Sequence, residues 1–159
     1  MADSGTFKFS YVVAMISVDA YPWISSMKIA DRVAIAVEKA TRSKGAELDK
    51  LEIFPEHIVF QFTTTEGNEK PTAMVLAVRT AVYDEFRGNP PEGMGAARQQ
   101  RGYFSRRDFA MATMGNGLKK TEIDRIIGDA KRRYSVRRFG AKDIKKEPWS
   151  VLYETISLE

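Results

Sequence analysis

The spacing of apolar residues in the first third of the chain predicts a strand followed by an amphipathic helix. Residues 7–19 (FKFSYVVAMISVD) mix β-branched and aromatic residues with short alternation, a pattern that is typical of a strand. The next stretch, MKIADRVAIAVEKATRSKG, repeats its apolar residues at helical spacing and predicts a helix near residues 27–44. Ser25 or Ser26 can cap the start of this helix, and Gly45 can end it in a left-handed conformation.

The rest of the pattern predicts a strand hairpin, a second helix, a fourth strand and a third helix. Pro55 and Glu56 separate the two hairpin strands, and a Gly- and Pro-rich loop precedes the fourth strand. The third helix is predicted to begin near Thr121, which is followed by an apolar stripe. The predicted ranges are residues 46–54 and 57–65 for the hairpin, 70–87 for the second helix and 103–115 for the fourth strand.

The order β-α-β-β-α-β, with one additional C-terminal helix, predicts a ferredoxin-like α+β fold. Its sheet would have four antiparallel strands, and the strands at residues 7–19 and 57–65 would be neighbours in the centre. The first two helices are expected on one face of this sheet. The other face, or the crevices beside the helices, would then be open to a ligand.

Length and composition indicate one soluble domain with a basic tail. The chain has 159 residues, of which 43% are hydrophobic, and this is enough for a substantial core. We expect a domain over residues 1–138 and a basic, aromatic tail over residues 139–159. No signal-peptide pattern stands at the N-terminus, and no apolar run approaches the roughly 20 residues of a membrane span. These features predict a cytoplasmic protein.

Positive charge is concentrated in two segments of the chain. Residues 125–146 hold nine basic and two acidic residues, and residues 98–107 hold four arginines and no acid. These segments carry +7 and +4, so the rest of the chain carries −7 to give the net charge of +4. Such polarity favours a surface that meets a polyanion, because arginine matches phosphate geometry well. A solvated helix face followed by an exposed tail would give the same pattern.

Several catalytic classes are excluded by the residues that are missing. The chain has no cysteine, so it has neither disulfides nor thiolate metal sites. One histidine and no cysteine leave no spacing that indicates a Ser/His/Asp or Cys/His arrangement. The loop GNPPEGMG lacks the Lys-Ser/Thr of a phosphate-binding P-loop. A nuclease based on carboxylates stays open, although no residue pattern favours it.

The single histidine, His57, stands in the motif PEHIV at residues 55–59. This motif resembles that of the single-tyrosine HUH transposases of simple insertion sequences and REP-associated elements. Their third strand carries Pro-Asp/Glu-His-hydrophobic-His, and its two histidines bind a divalent metal. Here Val59 replaces the second histidine, which would lie on the same side of the strand as His57. We therefore expect no metal at His57, and a hydrogen-bonded strand residue or a phosphate contact instead.

The resemblance continues in RGYFSRRDFAMATMG, which is similar to the family's GYF…G region, and covers residues 7–138. The next helix in the family carries the nucleophilic tyrosine, and counting from Gly115 places Ile126 at that position. Tyr134 lies about two turns further along the helix, where we interpret it as a packed tyrosine with a hydrated hydroxyl. The chemistry needs both a metal and an oxygen nucleophile, so the resemblance implies an inactive relative without cofactors.

Nucleic-acid binding is the activity that this pattern still allows. In the first basic segment, arginines stand on both sides of two aromatic residues, Tyr103 and Phe104, which combines phosphate contacts with stacking surfaces. Because these two aromatic residues are adjacent, at least one of them is expected to point into the core. The second basic segment would extend the same track. The candidate residues are Arg98, Arg101, Tyr103, Phe104, Arg106, Arg107, Lys131, Arg132, Arg133, Arg137 and Arg138.

Three functional hypotheses follow from the sequence. The first is a protein that binds single-stranded or hairpin DNA, or structured RNA, without cleavage, as a homodimer by its resemblance to the family. The second is a structural or adaptor subunit of a larger assembly, with the basic tail docked on an acidic partner or on RNA. The third is an active single-strand nuclease or transposase with rearranged ligands, which would need Mg or Mn.

Overall fold

The structure is a computed structural model that describes residues 8–65, 71–95, 99–100, 102–113, 118–133 and 150–151. It confirms the predicted α+β fold, and the predicted element boundaries agree to within a few residues. None of the helices in these ranges is long and apolar enough to cross a membrane. The elements are β1 (Lys8–Ser17), α1 (Met27–Ser43), β2 (Glu47–Ile53), β3 (His57–Thr65), α2 (Pro71–Arg87), β4 (Phe104–Thr113), α3 (Lys120–Arg133) and β5 (Ser150–Val151).

The strands form one antiparallel sheet in the order β4-β1-β3-β2-β5. β1 and β3 are central neighbours, as predicted, and their register pairs Ala14 with Val59. The two residues of β5 come from the predicted tail and pair with Glu52 and Ile53 at the outer edge of β2. The sequence pattern did not predict this short fifth strand.

α1 and α2 pack side by side on one face of the sheet, which confirms their predicted placement. The buried stripe of α1 includes Ile29, Val33 and Val37, and it meets Phe60 and Phe62 of β3 in one apolar cluster. Strand alternation explains this contact, because every second residue of β3 points to the same face.

α3 packs on the opposite face, against β4, β1 and the 3-10 turn that follows β1. Its residues Ile123 and Ala130 are buried against Val12, Ala14 and other apolar residues of the sheet. The expectation that this face is open to a ligand is therefore wrong for the part that α3 covers. The apolar stripe of α3 needs a partner surface, and the face of the sheet that α1 and α2 leave uncovered provides it.

A cluster of aromatic rings around Trp23 joins the turn after β1 to the start of β4. The Trp23 Nε1–H donates a hydrogen bond of 3.1 Å to the carbonyl oxygen of Tyr103. The rings of Phe86, Tyr103 and Phe104 surround Trp23 at centroid distances of 5.3, 4.9 and 5.7 Å. Edge-to-face contacts of this kind stabilise a core beyond the area they bury.

Of the two serines that can cap α1, the structure selects Ser26, whose side chain accepts a hydrogen bond of 3.2 Å from the Ile29 N–H. We expect Ser26→Ala to lower the free energy of unfolding by about 1 kcal/mol, because one helix N–H loses its acceptor. Urea denaturation followed by circular dichroism measures this change. Ser25→Ala is the matched control, because Ser25 is exposed and lies outside the helix, and it should change stability by less than about 0.5 kcal/mol. Equal losses in the two variants would contradict the assignment of the cap.

Candidate functional site

His57 is a buried, hydrogen-bonded residue at the start of β3, as the first of its two sequence interpretations predicts. Its ring is stacked on Phe54, with centroids 4.3 Å apart and ring planes 3° from parallel. Its Nδ1 lies 2.6 Å from Oε1 of Glu56. Only 9% of the residue is exposed, so little of the ring is accessible to a ligand from solvent.

Glu56 is held beside His57 in the turn between β2 and β3. Its backbone carbonyl accepts a hydrogen bond of 2.9 Å from the Ser17 N–H, which ties the turn to the end of β1. The carboxylate is 2% exposed, and its Oε2 has no hydrogen-bond partner in the described part of the chain. In that same part, no group of three or more potential metal-ligating side chains occurs.

Val59 lies two residues further along β3, packed in an apolar cluster on one side and paired across the sheet with the buried Glu52 of β2. It is 1% exposed and belongs to the cluster that Ile123 and Ala130 of α3 cover. Ile126 packs against the same cluster. The fold thus brings together the two positions where the resemblance places a metal ligand and a nucleophile. Both positions hold aliphatic side chains, which offer neither a lone pair to a cation nor an oxygen to a phosphate.

The arginines of β4 project from a bulge at the edge of the sheet. β4 pairs with β1 at Phe104 and again at Phe109, and the register shifts between these two pairs. Arg106 and Arg107 lie in the intervening stretch, and both are exposed. Since β4 is the last strand on this side of the sheet, the bulge extends toward solvent.

A serine and an aspartate fix the conformation of this bulge. The Ser105 hydroxyl donates to Oδ2 of Asp108 at 2.8 Å. Its oxygen accepts from the backbone N–H groups of Arg107 at 3.3 Å and Asp108 at 3.1 Å. Ser105 and Asp108 are both buried, so the turn that carries the two arginines is anchored in the sheet.

Tyr103 and Phe104 do not form the stacking surface that the sequence predicted. They are 4% and 1% exposed, and both rings belong to the cluster around Trp23. Burial raises the pKa of Tyr103, the nearby Tyr83 raises it further, and Arg32 opposes both. Strand alternation would place only one of two adjacent residues in the core. Tyr103 escapes this rule because it precedes β4 and follows Gly102, whose φ of +93° turns the chain.

The basic residues of α3 are less concentrated than the sequence segment suggested. α3 contains five basic and three acidic residues, so its net charge is +2. Arg132 forms an ion pair with Asp129, and Arg125 reaches Asp129 at 3.1 Å and Glu122 at 3.9 Å. Lys131 is half-buried. Exposed pairs of this kind contribute only about 0–1 kcal/mol each, so a stronger anion can compete for these arginines.

The structure does not describe several of the residues that the sequence singled out. Arg98, Arg101, Tyr134, Arg137 and Arg138, and the side chain of Arg133, lie outside the described part of the chain. The contribution of the five arginines to nucleic-acid binding therefore stays a prediction, and so does the interpretation of Tyr134 as a packed tyrosine.

Arg79 of α2 lies beside Arg106, although the sequence did not indicate this residue. Its Nε donates a hydrogen bond of 3.0 Å to the carbonyl oxygen of Phe104. Burial lowers the pKa of Arg79, and the positive charge of Arg106 lowers it further. A single arginine within an amphipathic helix gives no signal by itself, because its neighbour in space comes from a strand 27 residues later.

We expect that restoring histidine at position 59 destabilises the protein. Val59→His replaces an aliphatic side chain of a buried cluster with an imidazole whose polar atoms need partners, and we expect a loss of about 1–3 kcal/mol in the free energy of unfolding. Val59→Met is the control, because methionine is similarly large but apolar and should cost less. Urea denaturation with and without Mn²⁺ or Zn²⁺ measures both effects. Recovery of the lost stability on adding metal would show that the site still accepts an ion.

Most of the chain is similar to solved structures of transposases. A candidate transposase from Deinococcus radiodurans R1 matches with a TM-score of 0.58 and 17% sequence identity over 85% of this chain and 94% of that chain. A REP-associated tyrosine transposase bound to a REP hairpin has a TM-score of 0.48 and 12% identity over 83% of this chain and 71% of that chain. No protein-family model and no curated protein sequence matches. The first of these structures shows that this chain has a transposase-like fold.

Proposed function

We propose that this protein binds single-stranded or hairpin DNA, or structured RNA, and does not cleave it. The observation that carries the proposal is the pair of exposed arginines, Arg106 and Arg107, on the anchored bulge of β4. A fixed turn presents both arginines at the exposed edge of the sheet. Arginine in this setting binds phosphate oxygens with paired, charge-assisted hydrogen bonds. The transposase-like fold supports a nucleic acid as the source of these phosphates.

The absence of cleavage is proposed from the apolar character of Val59 and Ile126. Transfer of a DNA strand to a tyrosine requires a metal that polarises the phosphate and an oxygen that attacks it. Both side chains at the corresponding positions are aliphatic, and they belong to one apolar cluster between α3 and the sheet. The proposed activity therefore needs no cofactor. Mg or Mn would be required only if other residues had taken over the chemistry.

We expect binding to be dominated by phosphate contacts and to weaken steeply with salt. For about six contacts, the affinity for a hairpin or single strand should fall roughly 10³-fold or more between about 50 and 200 mM salt. Replacing Arg106 and Arg107 together with alanine should weaken binding and flatten the salt dependence by up to about two units. Fluorescence anisotropy with labelled DNA and RNA oligonucleotides measures both quantities.

The matched control removes the same net charge from another surface. Lys39 and Arg42 are exposed on α1. This helix contacts β2, which is separated from β4 by two strands of the sheet. Their double alanine variant should retain most of the affinity and the slope. Equal effects of the two double variants would assign the binding to net charge alone and contradict a site on β4. If no oligonucleotide binds at about 50 mM salt, the basic surface serves a protein partner, as in the adaptor hypothesis.

The same oligonucleotides test the proposed lack of cleavage. We expect no shortened product and no covalent adduct after incubation with Mg²⁺ or Mn²⁺, as analysed on denaturing gels. An adduct that disappears in Tyr134→Phe would contradict the proposal and identify Tyr134 as the nucleophile. The homodimer and any larger assembly implied by the resemblance stay predictions that light scattering can test.

A further inference from the structure

A groove runs between α2 and the edge strand β4, on the same face of the sheet as α1. It encloses a cavity of about 270 Å³ and lies on the opposite face from Val59 and α3. The residues that line it are Thr72, Val75, Leu76, Arg79, Arg106 and Phe109. A second cavity of about 240 Å³ adjoins Arg79 from its other side and reaches Tyr83 and Gly102.

Among the residues that the structure describes, two arginines and no carboxylate line the first cavity. Arg79 is fixed on α2 by its hydrogen bond to the Phe104 carbonyl, and Arg106 extends from the bulge of β4. The two guanidinium groups are close enough that the charge of Arg106 lowers the pKa of Arg79, which burial also lowers. Two like charges beside a partly buried wall repel each other, and an anion between them relieves that repulsion.

The remaining wall of the groove is apolar and partly open. Leu76 is 59% exposed at its rim, Val75 is buried, and Phe109 is half-buried on β4. Ligand pockets usually measure about 300–1,000 Å³, and this cavity is slightly smaller than that range. It has room for one nucleoside-sized group and none for a duplex. Two arginines beside an apolar wall suit a group that is negatively charged at one end and flat and apolar at the other.

We infer that this groove holds a single unpaired nucleotide of a nucleic-acid strand. Its phosphate lies between Arg79 and Arg106, and its base lies against Leu76 and Phe109. The inference deepens the proposed function and rests on it, since Arg106 serves both. It adds a contact that depends on the base as well as on charge, and it assigns this contact to the groove beside α2. Such base contacts tolerate any sequence, because every base has a flat apolar face.

The test compares two probes that carry the same number of phosphates. One is an oligothymidylate, and the other is an oligonucleotide of equal length in which every nucleotide is abasic. If the groove holds a base, the wild-type protein should bind the oligothymidylate about 5-fold or more tightly at equal salt. A ribonucleotide version of the first probe shows whether the groove distinguishes RNA from DNA through the 2′-hydroxyl.

Variants of neutral side chains then assign the base-dependent affinity to the groove. Leu76→Gln alters its rim without changing any charge and should reduce the ratio of the two affinities at least about 2-fold. Phe109→Ala should bring that ratio close to one. Ile35→Gln is the matched control, because Ile35 is 61% exposed on α1 and does not line the groove. Leu76 is nearly as exposed as Ile35, so neither substitution should disturb folding, which thermal denaturation verifies.

The outcomes separate this inference from the proposed function. Equal affinity of the wild-type protein for the two probes would overturn the groove as a base site and leave phosphate binding intact. A ratio that Leu76→Gln and Ile35→Gln lower equally would also overturn it. If neither probe binds at about 50 mM salt, the proposed function fails and the inference fails with it. A ratio that falls only in Leu76→Gln and Phe109→Ala supports the inference.

Discussion

Burial of the two central strands on both faces is the constraint on which the rest of this structure depends. β1 and β3 are covered by α1 and α2 on one side and by α3 on the other. Every mid-strand residue therefore needs either an apolar side chain or a complete set of hydrogen bonds, since unpaired polar groups are costly in such a layer. Val59 meets this requirement. His57, two residues earlier on the same strand, meets it through the contact of its Nδ1 with the carboxylate of Glu56.

The sequence predicted most of the fold because its periodicities are clear. The alternation around His57 and the helical spacing of Ile29, Val33 and Val37 each indicate an element and its buried side. The sequence could not show which face of the sheet α3 covers, since an apolar stripe specifies a need for contact and not a location. It also missed β5, because two residues give no pattern. The choice between Ser25 and Ser26 needed backbone geometry.

The candidate site was predicted in part, for a physical reason. Arg106 and Arg107 stand next to each other in the sequence and remain together on the bulge, so local composition was enough to find them. Tyr103 and Phe104 looked equally suited to bind a base, but both rings pack against Trp23 in the core. Trp23 precedes Tyr103 by 80 residues, so local sequence gives no sign of this contact. Arg79 is the converse case. Its relation to Arg106 depends on how α2 lies against β4, and single-sequence spacing contains no information about that contact.

The bulge of β4 also affects how the sheet can meet other chains. An edge strand presents unpaired N–H and C=O groups that another strand can use, and this is a route to unwanted association. Between Phe104 and Phe109 the ladder is interrupted, the backbone turns onto the Ser105 hydroxyl, and two positive charges stand in the path of an incoming strand. Among the described residues of β4, a regular edge therefore remains only in the second half of the strand. An added strand that followed this part of the edge, from Phe109 to Thr113, would pair over about five residues and would have to pass the two arginines to extend further.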